Sequence, residues 1–319
     1  MCIVLISTAH PDFPLVLISN RDEFLNRPTA PAHWWAPPNE HVLGGRDLLR
    51  EEQGTWLGVT HDGRLAVLTN FREEGQGFTG KRSRGAMVNA FLMQPPESAR
   101  DTEHFLKELV EDKSLAGVGG FSLVCGKLGQ PLGVISNRTP DVEGIQWIAT
   151  KSKETVGLSN AAFGNHSWPK VVNGEKMMAE TIAKSCSKGD TMAQLVEEMF
   201  RLLSHDTLPR WENGDSWETY LRQLRHSVFI PKLGDPAAKP VPPEEVAAAG
   251  SDKLVVQMST TSKSGLGSSG PYGTQKQTVV LVDHSGHVTF VEKTLYNEHG
   301  EYVADKQSDL TFEFDIKNI

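Results

Sequence analysis

Apolar residues fall in short runs along this chain, and the spacing inside each run predicts an element. I-V-L-I-S-T (3–8) and L-V-L-I-S-N (15–20) are apolar at successive rather than alternate positions, the pattern of strands covered on both faces. Pro11 and Pro14 forbid a continuous ladder between them, so A-H-P-D-F-P is a hairpin loop. A second hairpin lies in T-W-L-G-V-T-H-D-G-R-L-A-V-L-T-N, with Asp62-Gly63 as its two-residue turn. Further strands are predicted at 121–126, 131–136, 145–149, 155–159, 254–260, 277–283 and 287–295.

Helical spacing covers 83–93, then 101–112, where Phe105, Leu106, Leu109 and Val110 share one side, then 168–186. It is strongest from Met192 through Leu195, Val196, Met199, Phe200 and Leu203, with Asp190 or Thr191 as N-cap. A last helix is predicted near 216–226. The methionines fill core space. The Pro-rich stretch 235–252 is a surface loop inside a single domain spanning 1–319. The Gly/Ser-rich stretch 262–273 lacks the strand-then-helix setting of a phosphate-binding loop. Strands, then helices, then strands again make an α+β protein with a mainly antiparallel sheet.

The first hairpin places chemistry. Antiparallel pairing keeps the sum of paired residue numbers constant. If Thr8 faces Pro14, Cys2 lies opposite Asn20; a slip of one residue sets it opposite Arg21. In both registers the thiol and N-R-D-E (20–23) occupy one end of the sheet. Alone, Cys2 reads as a small buried residue and Arg21-Asp22 as a structural ion pair; their meeting points to a nucleophilic site. Removal of Met1 would give Cys2 a free α-amine with a pKa of about 7.7–8.0, suited to a general base. Arg21 would lower the thiol pKa and hold Asp22, and Asp22 would orient the amine. Asn70, closing L-A-V-L-T-N, would donate to an oxyanion.

Composition narrows the partners. The net charge is −8 over 319 residues and no basic run is present, which argues against nucleic acid and anionic membrane surfaces. Cys2, Cys125 and Cys186 are widely spaced without a CxxC, which suits a reducing compartment. No apolar run reaches the ~20 residues of a membrane span. The expected location is cytoplasmic, with mitochondrial and Golgi association left open. No metal set is predicted: the eleven His residues are scattered, and His284 and His287 bracket a turn. There is no CxxCH for haem attachment, and no cofactor is required.

The chain also resembles a known family. The blocks are M-C-I, N-R-D-E-F-L-N-R-P-T, G-G-R-D, G-T-W-L-G-V-T, G-R-L-A-V-L-T-N-F-R, S-R-G, G-L-S-N, W-P-K, S-V-F-I and Y-G-T, spread from Met1 to about Glu292. They are similar to the NRDE-domain family, also called the transport and Golgi organization 2 family. The resemblance implies a four-layer αββα sandwich of the N-terminal-nucleophile hydrolase type, nearest to the group of penicillin V acylase, bile salt hydrolase and acid ceramidase. It implies Cys2 as nucleophile, Arg21 and Asp22 as its partners, and Asn70 and Asn160 as oxyanion donors. The same blocks supply ligand-binding candidates: Asn20, Glu23, Arg46, Trp56 and Arg84. One block departs. Family members often read Y-G-T-R, whereas here Gln275 and Lys276 follow Y-G-T. Lys276 would replace a fork-shaped cation by a point charge. The family reading makes this a pocket protein handling haem, lipid or acyl-CoA, with haem as cargo. The alternative is a Cys2-dependent amidohydrolase or thioesterase.

Overall fold

The computed structural model describes residues 2–70, 83–96, 98, 100–112, 118–209, 222–234, 271–297, 299–303 and 309–316. Its first half runs β1 (Ile3–Ser7), β2 (Leu15–Phe24), β3 (Thr29–Trp34), β4 (Val42–Asp47), β5 (Leu57–Thr60), β6 (Arg64–Asn70), α1 (Gly85–Leu92) and α2 (Thr102–Glu111). The second half runs β7 (Phe121–Lys127), β8 (Leu132–Ser136), β9 (Gln146–Ile148), β10 (Thr155–Leu158), α3 (Pro169–Lys188), α4 (Met192–Leu203), β11 (Tyr272–Val282), β12 (His287–Thr294) and β13 (Leu310–Asp315). The described strands form two antiparallel sheets, ordered β10-β1-β2-β11-β12-β13 and β3-β4-β5-β6-β7-β8-β9.

Three apolar layers hold the sheets and helices together. Val4, Ile6, Leu15, Leu17 and Val280 meet Val59, Leu65, Val67 and Val134 between the two sheets. Ile3, Leu5, Val16 and Ile18 use the other face of the first sheet against Met178, Ile182, Leu195 and Met199 of α3 and α4. Ala66, Leu123 and Cys125 use the outer face of the second sheet against Phe91 of α1 and Phe105 of α2. The result is the four-layer αββα sandwich. Strands β1 and β2 are apolar at consecutive positions because each lies between a sheet and a helix layer. Thr191 caps α4 in a reciprocal capping box with Gln194.

Some elements differ from the sequence reading. β2 does not stop at Asn20; it continues through the charged cluster to Phe24, because β11 pairs with it from Leu15 to Phe24. β3, β4 and β13 were not predicted. The first carries Pro31 and an irregular register, β4 contains two glycines, and β13 is a half-exposed edge. The predicted strand 254–260, the Pro-rich loop 235–252, most of the Gly/Ser stretch and residues 216–221 of the last predicted helix lie outside the described residues.

Two glycines set how closely α3 approaches the first sheet. A Cβ on Gly157 of β10 would lie 2.7 Å from Leu5 Cδ2 and 3.1 Å from Val171 Cγ1. A Cβ on Gly174 of α3 would lie 3.0 Å from Leu5 Cδ1. This contact seats α3 over β1 and β10, from where Lys170 in its first turn reaches Asp22 of β2. Gly157→Val should overpack it and cost about 1–3 kcal/mol, read as a lower urea midpoint. An unchanged midpoint would show that α3 has room to stand off the sheet.

Candidate active site

Three segments meet where β1 begins. Continuing the Ile3–Asn20 register by one step sets Cys2 across from Arg21, the slipped alternative of the two the sequence allowed. The thiol is half-buried, and Cys2 Sγ lies 3.8 Å from the Asp22 carbonyl oxygen. Tyr272 Oη donates to that same oxygen at 3.1 Å.

Alternation along β2 sends neighbouring charges to opposite faces. Arg21 points between the sheets. Its guanidinium carbon sits 4.5 Å from the centroid of the Trp56 ring, and its Nη1 donates to Gln275 Oε1. Asp22 points at the helix layer. Its Oδ1 accepts from Thr274 Oγ1 at 2.7 Å, and its Oδ2 lies 3.8 Å from Lys170 Nζ. The expected pairing of Arg21 with Asp22 is therefore replaced: the cation set against Asp22 is Lys170. Both side chains of that pair are fully buried.

Gln275 reaches Arg21 through a β-bulge. The register between β2 and β11 shifts between Thr274, opposite Asp22, and Lys276, opposite Arg21. Gln275 Oε1 takes the Arg21 hydrogen bond and its Nε2 donates to Leu25 O at 3.2 Å. Lys276 does not supply the missing late cation. Its Nζ donates to Glu292 Oε1 at 3.3 Å and to Thr294 Oγ1 at 2.8 Å. Glu292 Oε1 also accepts the Ala32 N–H at 2.8 Å, a polar tie between the two sheets.

The L-S-N segment after β10 is anchored from the second sheet. Thr69 Oγ1 donates to Ser159 O at 2.8 Å, and Ser122 Oγ donates to Ala161 O at 3.0 Å. These bonds fix Asn160 from both sides and bring the end of β6, with Asn70, to the same place. Ser159 Oγ lies 2.7 Å from Cys2 O and 3.1 Å from Asn160 Oδ1. With its Oδ1 so engaged, Asn160 has no acceptor for its Nδ2 amide among the described residues. Asn20 is turned the other way, donating to Leu203 O at 2.8 Å and Val228 O at 2.9 Å. Glu23 Oε1 accepts from the Phe24 N–H at 3.0 Å. Arg46 lies 4.0 Å over Trp35 and donates to Gln53 O at 2.6 Å; Arg84 donates to Gly120 O at 3.3 Å. Of the predicted set, Cys2, Arg21, Asp22, Asn70, Asn160 and Trp56 are assembled around the start of β1.

Burial dominates the electrostatics. It pushes the Cys2 thiol up; the Asp22 carboxylate adds to the rise and Arg21 opposes it. Arg21 does pull this thiol down, as expected, but desolvation outweighs the cation and the net shift is upward. Burial likewise pulls Lys170 down, against the pull of Asp22 and Cys2 in the other direction.

Lys170 is the residue the sequence reading missed. W-P-K was visible as a block, but its chemistry was not read. A signal was available. Pro169 occupies the start of α3, so Lys170 stands in the first turn, where the helix dipole disfavours a cation. A lysine there needs a carboxylate, and Asp22 is the one in place.

The thiol thus heads a buried strand of an αββα sandwich, beside Asp22, Arg21 and two asparagines. The chain belongs to the family described as Transport and Golgi organisation 2, which matches residues 1–297. Among its relatives, the Bos taurus Transport and Golgi organization protein 2 homolog is 30% identical over 290 residues, covering 89% of this chain and 87% of that one. The Homo sapiens homolog is 27% identical over 312 residues, covering 96% and 94%. Penicillin V acylase from Agrobacterium tumefaciens is a similar solved structure, with a TM-score of 0.38 and 11% identity, covering 100% of this chain and 87% of that one.

Removing Lys170 tests the pair. Lys170→Met should cost about 3–5 kcal/mol, because it leaves Asp22 buried without this cation. Adding Asp22→Asn should return much of that loss. The pH dependence has a definite sign. Below 10.5 and above the depressed folded value, the unfolded chain binds the extra proton. Wild-type stability therefore rises with pH across that window, and Lys170→Met lacks this slope. Urea midpoints at several pH values measure both; a midpoint equal to wild type at neutral pH would refute the pairing.

Proposed function

We propose that this chain is a Cys2-dependent acyl hydrolase acting on an amide or a thioester. The observation that carries this reading is the gathering of a thiol, a buried Asp22–Lys170 pair and an Asn160 amide at one strand end. Burying those charges costs stability, and a purely structural strand end has no need of them. The chemistry requires cleavage between Met1 and Cys2. The freed α-amine of Cys2 then takes the thiol proton as sulfur attacks the acyl carbonyl carbon. Asn160 Nδ2 and the Asn70 side chain donate to the oxyanion of the tetrahedral intermediate. Collapse breaks the bond to the leaving group, which takes the proton from the α-ammonium and departs as amine or thiol. Water then attacks the Cys2 thioester and releases the carboxylic acid. Asp22, held by Lys170 and Thr274, is the positioning group for the amine.

A cargo reading has its own support. Burial keeps the Cys2 thiol protonated, and Gln275 stands where the resemblance expects a cation. On that reading the same strand end holds haem, lipid or acyl-CoA without turnover, in the cytoplasm or at mitochondrial or Golgi membranes. The relatives' names refer to transport and Golgi organisation. Among the described residues no helix is long and apolar enough to cross a membrane.

The experiment presents acyl-CoA, N-acyl amide and ceramide-like probes to the chain lacking Met1. Peptide mapping should then find an acyl adduct on Cys2 that is absent from Cys2→Ala. Absence of any adduct, with haem binding retained in Cys2→Ala, would overturn the hydrolase reading and support the cargo reading.

A further inference from the structure

A cavity of about 970 Å³ opens at the end of the sandwich opposite Cys2. It lies between the β1–β2 turn, the β9–β10 loop, the β11–β12 turn and one face of α3. That volume is at the upper end of ordinary ligand sites, about 300–1,000 Å³. Its floor is apolar, with Leu15, Leu128 and Val282 at the sheet ends and Ile182 from α3. Ala179, Ala183 and Cys186 line it at i, i+4 and i+7 of α3, so small side chains leave the space open.

Its polar groups are asymmetric. His10 is buried at 7% exposure and lines the cavity. Its Nδ1 accepts the Asp12 N–H at 3.1 Å, which puts the proton of the neutral ring on Nε2. Among the described residues that Nε2 has no hydrogen-bond partner. Burial lowers the His10 pKa against the pull of Asp12, so the ring is a neutral donor. Lys151 and Lys153 line the adjoining loop and form no ion pair among the described residues. That loop carries two non-glycine residues at positive φ, Ala149 at 56° and Lys153 at 66°, a strained backbone of the kind that clusters at binding sites. The carboxylate in the lining, Asp283, is occupied by its own turn: Oδ1 accepts from Ser285 N, Ser285 Oγ and His287 N at 2.8, 2.7 and 2.9 Å. Asp12 is exposed to solvent.

We infer that this cavity is a second ligand site, for a long-chain carboxylate. The chain lies on the apolar floor, and the head accepts from His10 Nε2 and faces Lys151 and Lys153. The site is remote from Cys2 and independent of its chemistry.

The test uses the full chain and a fluorescent long-chain fatty acid as probe. Binding should saturate at one equivalent. Ala183→Trp and Ala179→Trp, on exposed positions of α3, should fill the space and weaken binding by at least about tenfold, while far-ultraviolet circular dichroism stays unchanged. Lys151→Glu with Lys153→Glu should weaken the carboxylate by a similar factor and leave the matching fatty alcohol unaffected. Cys2→Ala should bind as wild type does, and bound fatty acid should slow alkylation of Cys186. Wild-type affinity in the tryptophan variants, equal losses for acid and alcohol in the glutamate pair, or loss of binding in Cys2→Ala would each overturn the assignment.

Discussion

Everything at the candidate active site depends on one buried charge contact, Lys170 Nζ to Asp22 Oδ2 at 3.8 Å. At that length it is a charge contact rather than a hydrogen bond, and it lies where water does not screen it. It holds the first turn of α3 against the C-terminal end of β2. The close packing of Gly157 and Gly174 on Leu5 makes the approach sterically feasible, and the pair supplies the electrostatic reason for it. Asp22 passes the constraint on: its side chain binds Thr274 and its carbonyl receives Tyr272 and the Cys2 thiol. Three blocks distant in sequence, N-R-D-E, W-P-K and Y-G-T, are thus one structural unit.

A second constraint divides the charges. Period-two alternation along β2 sends Asp22 to the helix layer and Arg21 between the sheets, where Trp56 and Gln275 receive it. Arg21 and Lys276 are opposed across the strands, and like charges so placed repel. The bulge at Gln275 relieves this by giving Arg21 a neutral acceptor, while Lys276 turns to Glu292. The result keeps the thiol in a desolvated, electrostatically mixed setting.

Much of this was legible in the sequence. Consecutive apolar positions in 3–8 and 15–20 imply strands buried on both faces, and constant-sum pairing brings Cys2 to the N-R-D-E cluster from sequence alone. The details that failed depend on partners far away in sequence. Continuation of β2 to Phe24 requires β11, more than 240 residues later. The choice of Lys170 over Arg21 as partner of Asp22 requires knowing which face α3 covers. The sign of the Cys2 pKa shift depends on burial, which local sequence does not encode. β3 and β4 were hidden by proline and glycine, whose strand role is set by their neighbours.

The two ends of the sandwich carry different features: a thiol-bearing charged cluster at the head of β1 and a wide apolar cavity at its foot. The hydrolase account stands on the identity of the terminal residue, because only a Cys2 bearing its own α-amine has the base it needs. An intact mass spectrum of the protein isolated from its native cells tests this directly. The account predicts the mass of the chain without Met1, with Cys2 as the first residue. A mass that retains Met1 would contradict it.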